Sequence, residues 1–475
     1  MGSFAKLTSR FEARQVTRCV ALVVTAILDM SASGCSLQPA GAPPPAPGHG
    51  AASPRLFDAT AVYRSMGALV GGGNLPFVAS VRYLAGPTPD STLALLSVSL
   101  TNQTLTFQRR GNEFVAEYHV EVAFWRDSTT VAPVRQISSD EQVRVRNFQE
   151  TLRNDESVIF QQFITVPPGV YVVGALVRDR NGPAFSRAER IDTTPRISAP
   201  ALTRPIAVYT AEGRLEPTVP PRLVANPRAT LPYGPDSMHF YVEHYGGHDS
   251  SEEVATIVAR VVDAGDHELW RDTLPLAGSL DVAFAMIVIV PSKLPLGAAE
   301  LQTIAAGDTT RARFLVSFSN QWVITNFDEM MSLLRYFDRQ DWVDSLRRSA
   351  PEHRPDLWRE FWKGTDPVPL TPENEALDDY FRRVQQANIR FADEGGPGWL
   401  TERGEVFITL GEPDEMLDLS NNMERGGMRV LRWTYTEERL VLYFQDQTGF
   451  SRFRLTPSSR SEYQHVLLRV RQSRQ

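Results

Sequence analysis

The sequence predicts a multidomain, mostly β chain: two tandem immunoglobulin-like β-sandwiches, a helical connector and a C-terminal α+β domain. Three observations predict it. Apolar and polar residues alternate with period two through much of residues 56–319, the signature of half-buried strands. From Asn326 onward apolar residues instead recur every three or four positions, the helical step. A long patterned helix then runs into a glycine-rich corner, Gly395-Gly396-Pro397-Gly398-Trp399-Leu400-Thr401-Glu402-Arg403-Gly404, with short strands beyond it.

Composition bounds the function. The chain has 475 residues, 42% hydrophobic and 22% charged, enough for several globular domains. Only Lys6, Lys293 and Lys363 are lysines, so nearly all of the 49 basic residues are arginine. The formal charge of −7 excludes a general nucleic-acid binder, which needs a basic surface. The two cysteines, Cys19 and Cys35, leave no internal disulfide if the chain is cut before Cys35.

The first 34 residues read as an export signal. Arg10, Arg14 and Arg18 precede an apolar run at 19–28. That run is too short to span a bilayer, which takes roughly 20 residues, but suits a signal core. Ala32-Ser33-Gly34-Cys35 resembles a bacterial lipobox, which implies cleavage before Cys35 and lipid attachment there. Ala32 stands where leucine is commoner, and Asp29 interrupts the apolar run; an ordinary cleavable signal and a retained anchor are the alternatives. Ser36 resembles the residue that directs such proteins to the outer membrane. Residues 35–55, with Pro43-Pro44-Pro45 and Pro47 among alanine and glycine, read as an extended tether.

Residues 56–198 are expected to form the first sandwich. Phe114, Ala116, Tyr118, Val120, Val122 and Phe124 alternate with Glu117, His119 and Glu121. Apolar runs recur at 93–100, 143–145 and 158–166. Pro167-Pro168-Gly169 and Arg180-Asn181-Gly182 turn between strands and resemble the last hairpin of immunoglobulin-like modules. About seven strands are expected. Residues 195–205 read as a linker, and 199–322 as the second sandwich, with strands near 238–245, 253–262, 280–290 and 311–318. His239, Glu243, His244 and His248 raise a metal site. On one strand they divide between two faces and cannot converge. The segment therefore reads as a surface strand and loop, and no metal or other cofactor is expected.

Residues 323–475 carry the connector and the last domain. Asn326 with Glu329 reads as a capping box before the stripe Phe327, Met330, Met331, Leu334 and Phe337. Pro355 opens a helix with Leu357, Trp358, Phe361 and Trp362, and Gly364 is its expected C-cap. Thr371-Pro372-Glu373 reads as the start of a helix carrying Leu377, Tyr380, Phe381, Val384, Asn388 and Phe391 on one face. Val406, Ile408 and Leu410 read as a buried strand face, and Gly411-Glu412-Pro413-Asp414 as the turn out of it. Arg432-Trp433-Thr434-Tyr435, 440–445 and 450–455 read as a meander with Gln447-Thr448-Gly449 as its loop. Ser459 reads as the cap of a final helix with Tyr463, Val466, Leu467 and Val470 inward.

Phe361-Trp362-Lys363-Gly364-Thr365-Asp366-Pro367, Asn374-Glu375, Arg383-Val384, Ala387-Asn388, 398–404 and Gly411-Glu412-Pro413-Asp414 together resemble the GWxTD domain family over the last quarter of the chain. Glu402 stands where the family name implies aspartate. The resemblance implies an exported bacterial protein and no enzymatic activity. As architecture, Gly398 and Gly404 are expected to take backbone angles closed to other residues. Trp399 is expected to anchor the corner, Thr401 to bond a backbone N–H, and Arg403 to pair with Asp379 or Asp414.

No nucleophile, base or metal-ligand constellation accompanies the motif, so no catalytic residue is expected. The expected role is binding or scaffolding in the cell envelope: membrane contact through a lipid on Cys35, at the periplasmic face of the outer membrane, and an envelope protein as partner. The alternative is a polysaccharide or peptide hydrolase using Glu402, Glu412, Asp414 or Glu415 as an acid pair.

Overall fold

The structure, a computed structural model, describes residues 56–127, 132–153, 158–234, 237–246, 255–290, 294–319, 321–369, 374–392, 396–420, 429–446 and 448–473. The expected signal, Cys35 and the tether lie outside the described residues, as do His248, 371–373, Gly395 and Gln447.

The first sandwich follows a short helix, α1 (Thr60–Ser65). Its strands are β1 (Leu69–Gly71), β2 (Phe77–Ala85), β3 (Thr92–Leu100), β4 (Gln108–Arg110), β5 (Glu113–Trp125), β6 (Arg135–Val145), β7 (Val158–Val166), β8 (Gly169–Asp179) and β9 (Phe185–Thr194), with the one-turn α2 (Phe148–Thr151) before β7. One sheet runs β1-β2-β3-β7; the other runs β4-β5-β8-β9 with β6 also paired to β5. Alternation on β5 turns Ala116, Tyr118, Val120, Val122 and Phe124 inward against Tyr171, Val173, Ala175 and Val177 of β8. The Tyr171 hydroxyl donates to Pro167 O at 2.9 Å, closing the corner before β8.

β3 is buried at every position. Ala94, Leu96, Val98 and Leu100 fill the first sandwich. Leu93 and Leu95, on the other face, meet Ile206, Val208, Leu223, Ala225 and Tyr241. An apolar layer therefore joins the two sandwiches, and an unbroken apolar strand is what burial on both faces requires.

The second sandwich contains β10 (Ala201–Leu202), β11 (Ile206–Glu212), β12 (Arg222–Ala225), β13 (Thr230–Pro232), β14 (Met238–Tyr245), β15 (Thr256–Val262), β16 (Glu268–Pro275), β17 (Ala277–Gly278), β18 (Ala283–Ile289), β19 (Gly297–Ala305) and β20 (Asp308–Ser317). Its sheets run β12-β11-β14-β18-β17, with β10 on β14, and β13-β20-β19-β15-β16. The expected linker at 195–205 thus contributes a strand.

The expected surface strand around His239 is corrected. β14 is central in its sheet, between β11 and β18, and is buried along nearly its whole length. Glu243 is fully buried and is paired with Arg214, whose side chain is 2% exposed. Arg214 Nε and Nη2 donate to the two Glu243 oxygens at 3.0 Å each. Nη1 donates to Pro217 O and Val219 O at 2.9 and 3.1 Å, and Nη2 to Ala85 O at 2.8 Å, at the end of β2 in the first sandwich. Tyr241 Oη donates to Glu243 at 2.6 Å, and Tyr245 Oη also donates to it while accepting Ala85 N–H at 2.8 Å. Burial, then the Glu243 charge, pushes both phenols up, so both remain donors.

The C-terminal part contains α3 (Phe327–Leu333), α4 (Gln340–Arg348), α5 (Arg354–Thr365), α6 (Glu375–Arg390), α7 (Glu402–Leu410), β21 (Glu415–Asp418), β22 (Arg429–Tyr435), β23 (Leu440–Asp446), β24 (Phe453–Leu455) and α8 (Pro457–Ser473). The strands form one antiparallel sheet in sequence order. Asn326 caps α3 by accepting Glu329 N–H at 2.9 Å. Gly364 is not a cap: it lies within α5, where a Cβ would stand 3.1 Å from the Trp342 ring. α6 begins at Glu375 rather than near Thr371, because Asn374 accepts Leu377 N–H at 3.0 Å and donates to Trp362 O at 2.7 Å, fastening α5 to α6. α8 begins before the expected Ser459, whose buried hydroxyl accepts Tyr443 N–H at 2.9 Å instead.

One hydrophobic cluster runs from the second sandwich through these helices: Phe314 and Phe318 continue into Trp322, Met330, Trp358, Phe381 and Phe407. Trp322 packs on Phe381 with the rings tilted and 4.1 Å apart, and donates to Asp378 at 3.1 Å. The chain enters at the same place: Leu56 N–H donates to Gln385 at 3.1 Å, and Phe57 meets Phe381 edge-on at 5.7 Å. No helix among the described residues is long and apolar enough to cross a membrane.

The Arg214–Glu243 pair yields a direct expectation. Glu243→Ala leaves a buried guanidinium uncompensated and should cost about 3–5 kcal/mol in urea unfolding. Arg214→Met combined with Glu243→Leu should cost less than either single change, since no lone charge then remains.

Candidate functional site

The family-like corner joins α6, α7 and the four-stranded sheet. It works by removing side chains where backbones meet. Neither Gly398 nor Gly404 takes a positive φ, contrary to the expectation of special backbone angles. A Cβ on Gly398 would collide with Ala387 O and stand 2.7 Å from Ala392 N and Asn388 O. A Cβ on Gly404 would collide with Gly398 O and stand 3.0 Å from Trp399 Cα. The last turn of α6, the 398–399 backbone and the first turn of α7 are thus stacked in direct contact. Gly411 does take a positive φ, 89°, as α7 ends, and its carbonyl accepts the Tyr435 hydroxyl at 3.1 Å.

The expected strand at 406–410 is a helix. Thr401 caps it: Oγ1 accepts Gly404 N–H at 3.0 Å and donates to Gly398 O at 2.8 Å. Glu402 and Glu405 sit in the first turn, at the positive end of the helix dipole. Val406, Phe407 and Ile408 are all buried, because α7 lies between α6 and the sheet and its second half, 406–410, is apolar nearly all round.

The remaining motif side chains hold the corner together. Trp399 is only 7% exposed, with the Arg335 guanidinium 5.7 Å from its ring. Glu402 accepts Leu455 N–H at 2.6 Å and pairs with Arg454 at 3.4 Å and with Arg460. It ties α7 to β24 and to the start of α8, a reach that uses the longer acid at this position. Arg403 does not pair with Asp379 or Asp414; its guanidinium lies over Phe453 at 4.5 Å and Phe391 at 5.3 Å. Asp379 serves Arg382 and Arg383, and Arg383 donates to Ile408 O at 3.2 Å. Asn388 is 4% exposed beneath Gly398, and Pro413 is buried.

The acids suggested for hydrolysis are separately engaged. Glu412 pairs with Arg390 at 2.9 Å, and Glu415 with Arg432 at 2.7 Å. Asp414 accepts Thr436 N–H at 2.6 Å, and that bond, with the Thr436 hydroxyl, holds its carboxyl below the usual carboxylate range. A general acid needs the opposite shift. A cleft of about 390 Å³ opens between the connector and α6–α7, lined by Tyr336, Arg339, Asp379, Tyr380 and Arg383. Among the described residues, no group of three or more His, Cys, Asp or Glu is gathered for a metal.

Asp446 escaped the sequence reading. It is fully buried at the end of β23 and accepts Thr448 N–H and hydroxyl at 3.0 and 2.9 Å, Gly449 N–H at 3.0 Å and Ser451 N–H at 2.7 Å.

Gly404→Ala should lower unfolding stability by about 1–3 kcal/mol or more, because backbone cannot move aside as a flexible side chain does. Gly449→Ala, at φ 74° with open space around it, should cost only about 1–2 kcal/mol. Burial acts to raise the Asp446 carboxyl, but its hydrogen bonds outweigh that and hold it low. Its stabilisation is therefore complete above the unfolded-state value near 4 and is lost as pH falls through the depressed folded value. Asp446→Asn should flatten the dependence of urea midpoint on pH below about 4.

Comparison with known proteins places this corner. Residues 303–475 match the GWxTD domain, a span that begins within β19 and takes in the connector as well as the last quarter of the chain. No curated protein matches. Among solved structures, the BSP domain of a biofilm associated protein matches at 8% identity, over 50% of this chain and 51% of that one, with a TM-score of 0.15. A trypsin-activated alpha-2-macroglobulin from Escherichia coli matches at 12% identity, over 52% of this chain and 17% of that one, with a TM-score of 0.17. This chain thus spans about half the length of the first and less of the second. The sandwich architecture of this chain rests on its own strand pairing. The helices and sheet built around Gly398 and Gly404 lie within the stretch that matches the GWxTD domain, so it is residues 303–475 of this chain that carry the likeness.

Proposed function

We propose that this GWxTD protein is an exported cell-envelope lipoprotein, held by a lipid on Cys35 at the periplasmic face of the outer membrane. There it binds or scaffolds an envelope protein and performs no chemistry. The observation that carries the non-catalytic reading is the commitment of the motif. Thr401 caps a helix, Glu402 bonds a strand, Arg403 stacks on two rings and Asp414 holds a turn. Each polar group is used in joining one element to another. The anchoring reading is supported by the basic segment, the apolar run at 19–28 and Ala32-Ser33-Gly34-Cys35.

Growth with a labelled fatty acid should label the wild-type chain and leave Cys35→Ala unlabelled. Purification from mild detergent should recover a stoichiometric envelope protein with the wild type. Equal labelling of Cys35→Ala counts against the anchor, and repeated recovery of bare monomer counts against the partner.

A further inference from the structure

A second cleft, of about 860 Å³, lies along the seam between the two sandwiches, far larger than the one beside α7. Its walls come from β2, β9, the 195–205 segment and the β19–β20 hairpin. They carry six arginines, Arg82, Arg190, Arg196, Arg204, Arg311 and Arg313, against two carboxylates, Asp192 and Glu300. The excess of four positive charges stands in a protein whose formal charge is −7.

The two carboxylates are already shared. Asp192 receives Arg190 at 2.6 Å and the Tyr83 hydroxyl at 3.0 Å. Glu300 lies 3.5 and 3.6 Å from Arg311 and Arg313 and also accepts Gln302 at 3.0 Å. Arg196 turns to Asp90 at 2.5 Å. Arg82 and Arg204 have no carboxylate within ion-pair distance among the described residues. Among the described residues, the Arg82 guanidinium makes one hydrogen bond, to Val81 O at 3.1 Å. Arg190 is already engaged: Nη1 donates to Gly67 O, Nη2 to Asp192, and its Nε is buried.

These cations also oppose one another. Burial, then the Arg190 charge and, against the pull of Asp192, the Arg204 charge bring Arg82 down to about 10. An isolated surface arginine feels none of this. The backbone that presents Arg204 is held in place: Thr203 N–H donates to Glu243 O at 2.9 Å, and Thr310 Oγ1 donates to Thr203 O at 2.7 Å. A concave wall of guanidinium groups, with donors of Arg82 and Arg204 unfilled by carboxylate, matches the planar oxygens of phosphate and carboxylate groups.

We propose that this inter-sandwich cleft binds an oligoanion carrying two or more phosphate or carboxylate groups, with Arg82 and Arg204 supplying the donors. The site depends neither on the lipid anchor nor on the protein partner proposed above.

Titration calorimetry on the full chain in detergent, at constant ionic strength, tests it with two probes: sodium tripolyphosphate and citrate. At least one should bind, and the preferred probe distinguishes a phosphate from a carboxylate ligand. Arg82→Gln combined with Arg204→Gln should weaken that binding at least tenfold. Arg222→Gln should leave it unchanged, because that side chain is 88% exposed on β12 and lines no part of the cleft. The bound probe should also raise the thermal midpoint of the wild type and not of the double variant, whose own unfolding transition reports that it folds. The proposal is overturned if neither probe binds the wild type, if the double variant binds as tightly, or if Arg222→Gln loses as much affinity.

Discussion

The GWxTD module depends on three stretches of main chain touching without side chains between them. The end of α6, the 398–399 backbone and the start of α7 approach so closely that a single Cβ at Gly398 or Gly404 would enter another residue's backbone. Everything polar in the corner follows from holding that contact. With the chain drawn tight, Thr401 is placed to cap α7, and Trp399 closes over the junction. Glu402 then points at the unpaired edge of β24 and Arg403 into the gap between two phenylalanines. The motif is a joint, and its spacing is the spacing of one helical turn after a bend.

A different device unites the sandwiches. Apolar layers join β3 to β11, β12 and β14, but such layers are non-directional and tolerate sliding. The Arg214–Glu243 cluster supplies direction, since each donor of a planar guanidinium needs its acceptor in one place. One of those acceptors, Ala85 O, belongs to the first sandwich. A buried pair of this kind adds little net stability over apolar packing. Its acceptors come from both sandwiches, so the full set of bonds is met in one register of the two apolar faces.

Much of the fold was legible because it obeyed one period at a time. The alternation on β5, the unbroken run of β3, the Asn326 cap and the stripe on α6 each have a single reading. The failures are equally physical. Residues 406–410 are too few to show a helical period, and valine, isoleucine and threonine favour strands when read alone. α7 is helical because Thr401 caps it and because apolar elements flank it on both sides. β21 was missed because its four residues are all exposed. Glu243 misled because an ionisable residue on a strand normally marks a wet face, and nothing local reveals Arg214 as its partner. The arginine cleft could not be read at all, since its walls come from stretches near residues 65–67, 81–83, 190–205 and 300–313 that only the fold brings together.

Leu56 and Phe57 meet α6, near the far end of the sequence, rather than the sandwich that follows them. Tension applied through the preceding segment would therefore reach α6 before any β-sheet. It would bear first on a helix fastened at one end by Asn374 and at the other by the glycine contact. Were the chain held by its N-terminal segment, the GWxTD module would be the mounting and the paired sandwiches the arm that it carries.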